Sequence, residues 1–256
     1  MSPTPKLRAL IFDVDGTMAD TERDGHRVAF NQAFAAAGLD WHWSVPLYSE
    51  LLAVTGGKER IRHYLNKYQP NFEPSTDLDR FIPELHAAKT KYYQQLLAQG
   101  EIPLRPGVRR LLEEAHTQGV RLAIATTSTQ SNVTALLEST LAPDGSSWFE
   151  VIAAGDIVPR KKPAPDIYHY LLERMGVAAQ DSLVIEDSHH GLKAAVQAGL
   201  KTVVTVNEYT RNQDFSEAVL VLDHLGEPDQ SFTVLAGDAR GMNYLDMSLA
   251  HHLHES

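Results

Sequence analysis

Five short apolar segments, separated by stretches with helical periodicity, constrain the fold of this chain more than any other feature. The segments span residues 7–12, 119–128, 149–156, 182–188 and 201–206. Helical patterns occupy 109–117, 166–175 and 191–198 between them. Strands that alternate with helices predict an α/β fold, in which a Rossmann-like parallel sheet is covered by helices on both faces. Reactive groups in such folds gather at the carboxyl ends of the strands.

The stretch between the first two predicted strands has a different pattern. It contains four helical segments, at 22–37, 47–54, 58–68 and 78–98, and no convincing strand. Apolar residues recur along the first of them at helical spacing, which is typical of a helix that packs on a core. We therefore expect an α-helical cap domain at 18–100, inserted into a core domain formed by 1–17 and 101–256.

Composition excludes several classes of partner and site. The chain has 256 residues, of which 43% are hydrophobic, a formal net charge of −10 and no cysteine. The acidic balance and the lack of an arginine-rich run argue against nucleic acid or an anionic membrane as a partner. Without cysteine, disulfides, thiolate catalysis and zinc–thiolate sites are excluded.

The sequence also bears on where the protein is expected to be found. No window is long and apolar enough to span a bilayer, and residues 1–6 are too short for a signal peptide. The expected location is therefore the cytoplasm, or the plastid stroma if a transit peptide has been removed. We expect a monomer.

Two aspartates, Asp13 and Asp15, stand where the first predicted strand ends, just before Gly16 and Thr17. Residues two apart on a strand point the same way, so the carboxylates are expected to lie together. A carboxylate that attacks phosphorus needs a cation such as Mg²⁺ to offset charge repulsion, and it forms an aspartyl phosphate. The second carboxylate can then serve as acid and base. The alternative is two solvated aspartates in a turn.

Polar groups follow two later segments as well. Thr126 ends the second predicted strand, and its hydroxyl, with the backbone N–H groups of Thr127 and Ser128, is suited to a phosphate oxygen at a helix start. Ordinary helix capping is the alternative. Lys161 and Lys162 precede two prolines that stiffen the backbone behind them. One lysine is functional if the prolines direct it to the carboxylates, and otherwise the pair is solvated.

Glu186 and Asp187 complete the set at the end of the fourth segment. Adjacent acids at a strand end suit oxygen ligation of Mg²⁺, whereas an N-cap role for Asp187 is the alternative. Four elements of a phosphoryl-transfer site thus occur in order, each after a predicted strand. Their conjunction predicts such a site, which no single element would.

With these elements in order, the chain resembles the haloacid dehalogenase superfamily of phosphohydrolases over nearly its whole length. The resemblance implies that Asp13 is the nucleophile and Asp15 the general acid and base. It also implies that Thr126 is the phosphate-binding hydroxyl and Lys162 the stabilising lysine.

The same resemblance implies a metal site for Mg²⁺. Asp187 would be a ligand together with Asp13 and the backbone carbonyl of Asp15. Glu186 would be either a further ligand or a hydrogen-bonding partner of the ligands.

Segments of the predicted cap narrow the resemblance to the CbbY group, phosphatases of xylulose-1,5-bisphosphate in Calvin-cycle organisms. These segments read TERDGHRVAFN, TGGKERI and LHAAKTKYY. The resemblance implies a small phosphosugar substrate that inhibits Rubisco. One phosphate would meet Asp13, and the second would need cations. The candidates for binding the remainder of the substrate are Glu22, His26, Gly56, Gly57, Lys58, Arg60 and Lys89.

Other interpretations stay open at this point. A phosphosugar mutase would use the same aspartyl phosphate but return the phosphate to another hydroxyl. A phosphoglycolate phosphatase would leave Lys58 and Arg60 without a second phosphate. An exposed helix start is the alternative interpretation of these two residues. A sensor of sugar phosphates would not need a nucleophile beside an acid. The tail at 234–256 matches nothing in the family, and its apolar residues favour packing on the core.

Overall fold

The computed structural model describes residues 6–54, 56–74, 77–141 and 144–255. The chain divides into two compact units, one formed by Met1–Asp20 with Pro103–Ser256 and the other by Thr21–Ile102. Residues 1–5, which include most of the short amino-terminal segment considered above, lie outside the described residues. The two units are described separately below.

The first unit is built on a seven-stranded sheet. Its strands are β1 (Ala9–Phe12), β2 (Arg121–Ala125), β3 (Phe149–Ala153), β4 (Ser182–Glu186), β5 (Lys201–Thr205), β6 (Leu220–Leu222) and β7 (Val234–Gly237). Their order in the sheet is β3-β2-β1-β4-β5-β6-β7. All neighbours pair in parallel except β6 and β7. The predicted α/β parallel sheet is confirmed. The sequence analysis missed β6 and β7, which are only three and four residues long.

The register of the central strands brings their carboxyl ends level with one another. Phe12 of β1 is paired with Ile124 of β2 and with Ile185 of β4. The chain continues in register beyond β1, because the Asp13 backbone N–H donates to the Ile185 carbonyl at 3.0 Å. This alignment places the polar residues that follow the three strands at one edge of the sheet.

The second unit is helical in its described residues, as the sequence predicts. A π-helical turn, Thr21–His26, leads directly into the first of four α-helices. These are α1 (Arg27–Ala36), α2 (Val45–Leu51), α3 (Gly57–Tyr68) and α4 (Leu78–Ala98). Aromatic rings form much of its core. Phe30, Trp43 and Tyr48 are buried against one another, with ring centroids 4.6 to 6.2 Å apart. These contacts show that the apolar face of α1, which carries Phe30, packs in the core of the helical unit.

Five helices cover the sheet of the first unit. They are α5 (Val108–Thr117), α6 (Gln130–Thr140), α7 (Asp166–Met175), α8 (His189–Gln197) and α9 (Met247–Glu255). The sequence analysis missed α6, whose apolar face is limited to Val133, Leu136 and Leu137. Among the described residues, every helix is too short or too polar to cross a membrane.

The carboxyl-terminal tail packs on the first unit through α9. Met247, Leu249 and Leu253 of this helix are buried. The Lys201 ammonium also donates to the His254 carbonyl at 2.7 Å, which ties the last turn to the start of β5. The expectation that the tail packs on the core is confirmed for the described residues.

Shortening Leu249 tests whether the tail contributes to stability. Leu249 is 2% exposed, so Leu249→Ala should lower the free energy of unfolding by about 2–5 kcal/mol through lost burial and the cavity left behind. Urea unfolding followed by circular dichroism measures the change. Ser248→Ala, on the exposed side of the same helix, is the matched control and should change the value by no more than about 0.5 kcal/mol. Equal stabilities of the two variants would contradict the packing role.

Candidate active site

A buried lysine joins two carboxylates at the carboxyl edge of the sheet. The Lys162 ammonium donates to Asp13 Oδ1 at 2.8 Å and to the Ala125 carbonyl at 2.8 Å, and it also donates to Glu186 Oε1. All three partners stand at or directly beyond strand ends. The lysine of the proline-flanked pair that reaches the carboxylates is therefore Lys162. Lys161 instead pairs with the exposed Asp156 at 2.8 Å.

Negative charge exceeds positive charge around this lysine. Burial, followed by the charges of Glu186 and Asp15, raises the pKa of Asp13 to about 7, although Lys162 opposes the shift. Burial, followed by the charges of Glu186 and Asp13, also raises the pKa of Asp187 well above its ordinary value. Burial alone would lower the pKa of Lys162, but the carboxylates of Asp13 and Glu186 hold it well above its usual range. One lysine does not neutralise the cluster.

The same cluster fits a bound cation. Oxygen atoms of Asp13, Glu186 and Asp187 all lie within 4.8 Å of one another, and the three residues are buried. Carboxylate oxygens are ligands of hard divalent cations, and a cation at this position would offset the uncompensated charge. The residues present therefore suit a divalent metal ion.

Glu186 is enclosed by hydrogen-bond donors. Besides Lys162, its Oε1 accepts from the Tyr168 hydroxyl at 3.2 Å. Its Oε2 accepts from the backbone N–H groups of Asp187 at 3.0 Å and Ser188 at 3.3 Å. Because both carboxylate oxygens already accept hydrogen bonds, Glu186 is better suited to hold Lys162 and the loop after β4 than to be a metal ligand itself.

Two residues missed in the sequence analysis confine this carboxylate. Tyr168 on α7 is fully buried and its hydroxyl reaches Glu186. Gly191 lies so close that a Cβ atom on it would come 1.8 Å from Glu186 Oε1. No larger residue fits at Gly191 without displacing the carboxylate, a requirement that only the folded chain reveals.

Asp15 faces the loop that follows β2. The Ser128 hydroxyl donates to Asp15 Oδ2 at 2.5 Å, and the Thr126 hydroxyl lies 3.5 Å from the same oxygen. Thr126 is buried and its hydroxyl also accepts from the Ser128 backbone N–H at 3.1 Å, while Thr127 is exposed. The structure therefore brings Thr126 and Ser128 to the predicted acid and base.

Arg105, also missed, fixes the loop that carries both aspartates. Its buried guanidinium donates to the carbonyls of Gly16, Thr205 at 3.0 Å, Val206 at 2.6 Å and Asp223 at 2.6 Å. Its Nε lies 3.5 Å from a carboxylate oxygen of Asp20. A single side chain thus binds three segments of the first unit: the loop after β1, the end of β5 and the loop after β6.

The predicted substrate residues Glu22 and Arg60 are linked inside the helical unit. The Tyr48 hydroxyl donates to Glu22 Oε2 at 2.6 Å and accepts from Arg60 Nη1 at 2.9 Å. Arg60 is buried and also donates to the carbonyls of Leu51 and Val54. Because its guanidinium binds carbonyls of the segment before α3, Arg60 holds that segment in its conformation.

His26 and Lys89 form a second linked pair in that unit. The Lys89 ammonium is buried, lies 5.1 Å from the ring centroids of Phe30 and Tyr93, and donates to His26 Nδ1 at 2.8 Å. The His26 ring stacks on Tyr93 with centroids 3.9 Å apart. An ammonium cannot accept a hydrogen bond, so in this geometry Nδ1 is unprotonated and His26 carries its proton on Nε2.

The glycines of the GGKER segment begin α3, and Lys58 on its first turn is exposed. Gly56 has φ of 94°, a conformation that favours glycine. A Cβ atom on Gly57 would lie 2.4 Å from His86 Nε2, so the space beside this glycine is filled by a side chain of the unit itself. Burial, and then the charges of Lys89 and Lys58, lower the pKa of His86. This part of the unit is therefore positively charged.

The chain matches a known enzyme family. The family model for haloacid dehalogenase-like hydrolases matches residues 7–199. The CbbY protein of Cupriavidus necator is 49% identical to this chain over 222 residues, covering 87% of each protein. A CBBY-like protein of Arabidopsis thaliana is 42% identical, covering 87% of this chain and 70% of the relative.

Solved structures give the same relationship. A crystal structure of CbbY from Rhodobacter sphaeroides in complex with phosphate is 44% identical and has a TM-score of 0.73, covering 87% of this chain and 96% of its own. An aspartate-to-asparagine variant of the same protein, in complex with xylulose-1,5-bisphosphate, matches with the same coverage and score.

The charge excess predicts an unusual effect of pH on the metal-free protein. The pKa of Asp13 is about 7 in the folded chain against 3.8 ordinarily, so its protonation stabilises the folded state at low pH. That contribution is lost as the pH rises through 7. We expect Asp13→Asn, measured by urea unfolding in EDTA, to be more stable than the natural protein by roughly 1–4 kcal/mol at pH 8. At pH 5 the difference should be less than half of that at pH 8, because the unfolded chain, with its ordinary pKa of 3.8 at Asp13, is already largely ionised there while the folded chain is not.

The control for this comparison is Asp229→Asn, which changes an exposed aspartate of the first unit. It should unfold like the natural protein at both pH values. A gain in stability for Asp13→Asn that is the same at pH 5 and pH 8 would contradict the electrostatic explanation.

Proposed function

The chain belongs to the haloacid dehalogenase-like hydrolases and, within them, to the CbbY group, and on this premise we propose that it is a magnesium-dependent phosphatase of xylulose-1,5-bisphosphate. The observation that carries the reaction is the buried Lys162 between Asp13 and Glu186 at the carboxyl edge of the sheet. The substrate is supported by the related CbbY structure that contains xylulose-1,5-bisphosphate.

In the proposed first step, a carboxylate oxygen of Asp13 attacks phosphorus and an aspartyl phosphate forms. The bond between phosphorus and the sugar oxygen breaks, and Asp15 gives its proton to the departing alcohol. In the second step Asp15 takes a proton from water, whose oxygen attacks the same phosphorus. Inorganic phosphate leaves and the Asp13 carboxylate is regenerated.

The surrounding side chains prepare both aspartates. Lys162 reduces the negative charge that the phosphoryl group meets at Asp13. The hydroxyls of Thr126 and Ser128, which lie 3.5 Å and 2.5 Å from Asp15 Oδ2, hold this side chain towards the loop after β2. The same hydroxyls and the backbone N–H groups that follow Thr126, including that of Thr127, are suited to the phosphoryl oxygens.

We propose that the bound metal ion is Mg²⁺. Asp13, Asp187 and the backbone carbonyl of Asp15 would hold it, and Glu186 would orient Lys162 and the loop beside it. When bound, Mg²⁺ supplies positive charge next to the phosphoryl group. The excess of buried carboxylates at this edge supports the assignment.

We further propose that the helical unit acts as a cap and supplies the contacts to the rest of the substrate. Lys58 is assigned to the second phosphate, because it is exposed and its charge acts together with that of Lys89. Both charges lower the pKa of His86, although burial of this ring is the larger cause. Gly56, Gly57 and Arg60 shape the loop that presents Lys58. Glu22 and His26 are assigned to the sugar hydroxyls, and Lys89 is a further cation for the second phosphate. Glu22 is held by the Tyr48 hydroxyl, and His26 by Lys89.

Phosphate release tests the proposed function directly. Xylulose-1,5-bisphosphate, ribulose-1,5-bisphosphate, phosphoglycolate and glucose phosphates would each be incubated with the protein and Mg²⁺. We expect the highest kcat/KM with xylulose-1,5-bisphosphate, and no turnover by Asp13→Asn because an amide cannot attack phosphorus. Preference for phosphoglycolate would overturn the substrate, and isomers without free phosphate would favour a phosphosugar mutase. Turnover by purified Asp13→Asn would reject the nucleophile.

Removal of the Lys58 ammonium tests the second-phosphate assignment. Lys58→Ala should lower kcat/KM for the bisphosphate about 10- to 100-fold, as expected for the loss of a charge-assisted contact. The loss with a monophosphate should be much smaller. Lys67→Ala, which removes another exposed lysine from α3, is the control and should leave both values unchanged. Equal losses on the two substrates would undo the assignment.

A further inference from the structure

We propose that Asn207, the second residue beyond β5, is a positioning residue that holds the Asp187 carboxylate in the orientation required for Mg²⁺. The inference rests on the metal site of the proposed function and assigns a role to a residue outside the four sequence elements. Asn207 Nδ2 donates to Asp187 Oδ2 at 2.6 Å. It also lies 3.4 Å from the Gly16 carbonyl. The amide therefore connects the loop after β1 with the loop after β4.

The orientation of this amide is determined by its own partners. Asn207 Oδ1 accepts from the Tyr209 backbone N–H at 2.9 Å. An N–H group can only donate, so the oxygen of the amide must face Tyr209 and the nitrogen must face Asp187. The Asn207 backbone N–H in turn donates to the Thr210 hydroxyl at 3.0 Å. The turn at 207–210 thus fixes which end of the side chain meets the carboxylate.

The backbone that carries Asn207 is held in place on its other side. Arg105 donates to the carbonyls of Thr205 and Val206, the two residues directly before it, at 3.0 and 2.6 Å. Arg105 also donates to the Gly16 carbonyl, the acceptor that Asn207 approaches. The position of Asn207 relative to the aspartate loop is therefore set by one buried side chain, and small rotations of the amide are restricted.

Gly16 lies directly against the contact between Asp187 and Asn207. A Cβ atom on Gly16 would lie 2.3 Å from Asp187 Oδ2 and 2.5 Å from Asn207 Nδ2, so glycine is required between them. The donated hydrogen bond engages Oδ2 of the carboxylate, and it favours the ionised form that a metal ion needs. Loss of the donor would leave a buried carboxylate with one partner fewer and more freedom to rotate.

Two substitutions at Asn207 separate this role from a role in the turn alone. Asn207→Asp keeps the acceptor for the Tyr209 N–H, because aspartate and asparagine serve equally in such turns. It replaces the donor that faces Asp187 with a second carboxylate oxygen. Asn207→Ala removes both functions. Folding of each variant is checked by urea unfolding in EDTA, and Mg²⁺ itself is the probe, titrated by calorimetry in phosphate-free buffer.

We expect both variants to bind Mg²⁺ about 10- to 100-fold more weakly than the natural protein, the usual cost of losing a partner of a metal ligand. Activity should recover as Mg²⁺ is raised, so that the Mg²⁺ concentration at half-maximal rate shifts with Kd while kcat changes less. Gln213→Ala is the matched control. It removes a side-chain amide of the same loop, whose oxygen accepts from the His189 N–H at 2.7 Å, and it should bind Mg²⁺ normally.

Undiminished Mg²⁺ binding by Asn207→Asp would overturn the inference, since it would show that the turn or the negative charge alone suffices. Equal weakening in Gln213→Ala would also overturn it, by assigning the effect to the loop as a whole. Failure of the natural protein to bind Mg²⁺ would reject the proposed metal site and the inference with it. Normal Mg²⁺ binding with no phosphatase activity would reject the proposed function alone.

Discussion

The structure depends on the way it accommodates several carboxylates beside one lysine at the carboxyl edge of a buried sheet. Asp13, Glu186 and Asp187 are withdrawn from water there, where unpaired charge is costly. Lys162 offsets part of that cost, and the raised pKa of Asp13, about 7, reflects the part that burial and the neighbouring acids leave uncompensated. A divalent cation would remove the rest. Binding of such a cation is therefore expected to stabilise this edge of the sheet.

A second buried cation organises the backbone around this charge cluster. Arg105 lies just beyond the boundary of the helical unit and collects carbonyl oxygens from several loops of the first unit. The segment between β6 and β7 supports it in turn, because the Asp223 carbonyl accepts from Arg105 and the Glu227 carboxylate accepts from the Gly107 N–H at 2.9 Å. Residues beyond the family match, 7–199, therefore help to position the loop that carries Asp13 and Asp15.

The helical unit uses paired side chains rather than isolated charges. Glu22 and Arg60 share the Tyr48 hydroxyl, and His26 accepts from Lys89. Each link restricts the rotamers of a group assigned to the substrate, which lowers the entropy lost on binding. Substrate preference in the proposed function is therefore expected to depend on these internal links as well as on the residues that touch the sugar.

The sequence by itself determined the parallel α/β core, the helical insert and the order of the four polar elements. These follow from local periodicity and from acids placed directly after apolar segments, so helix α4 has the bounds that its pattern predicts, 78–98. Tertiary structure alone decided the roles suggested for Arg105, Tyr168, Gly191 and Asn207. The close approach of Gly191 to Glu186 depends on how β4 turns into α8. The partners of Arg105, Tyr168 and Asn207 are backbone carbonyls or carboxylates distant in the chain, and such acceptors leave no pattern in the sequence around the donor. Only the register of the strands brings them together.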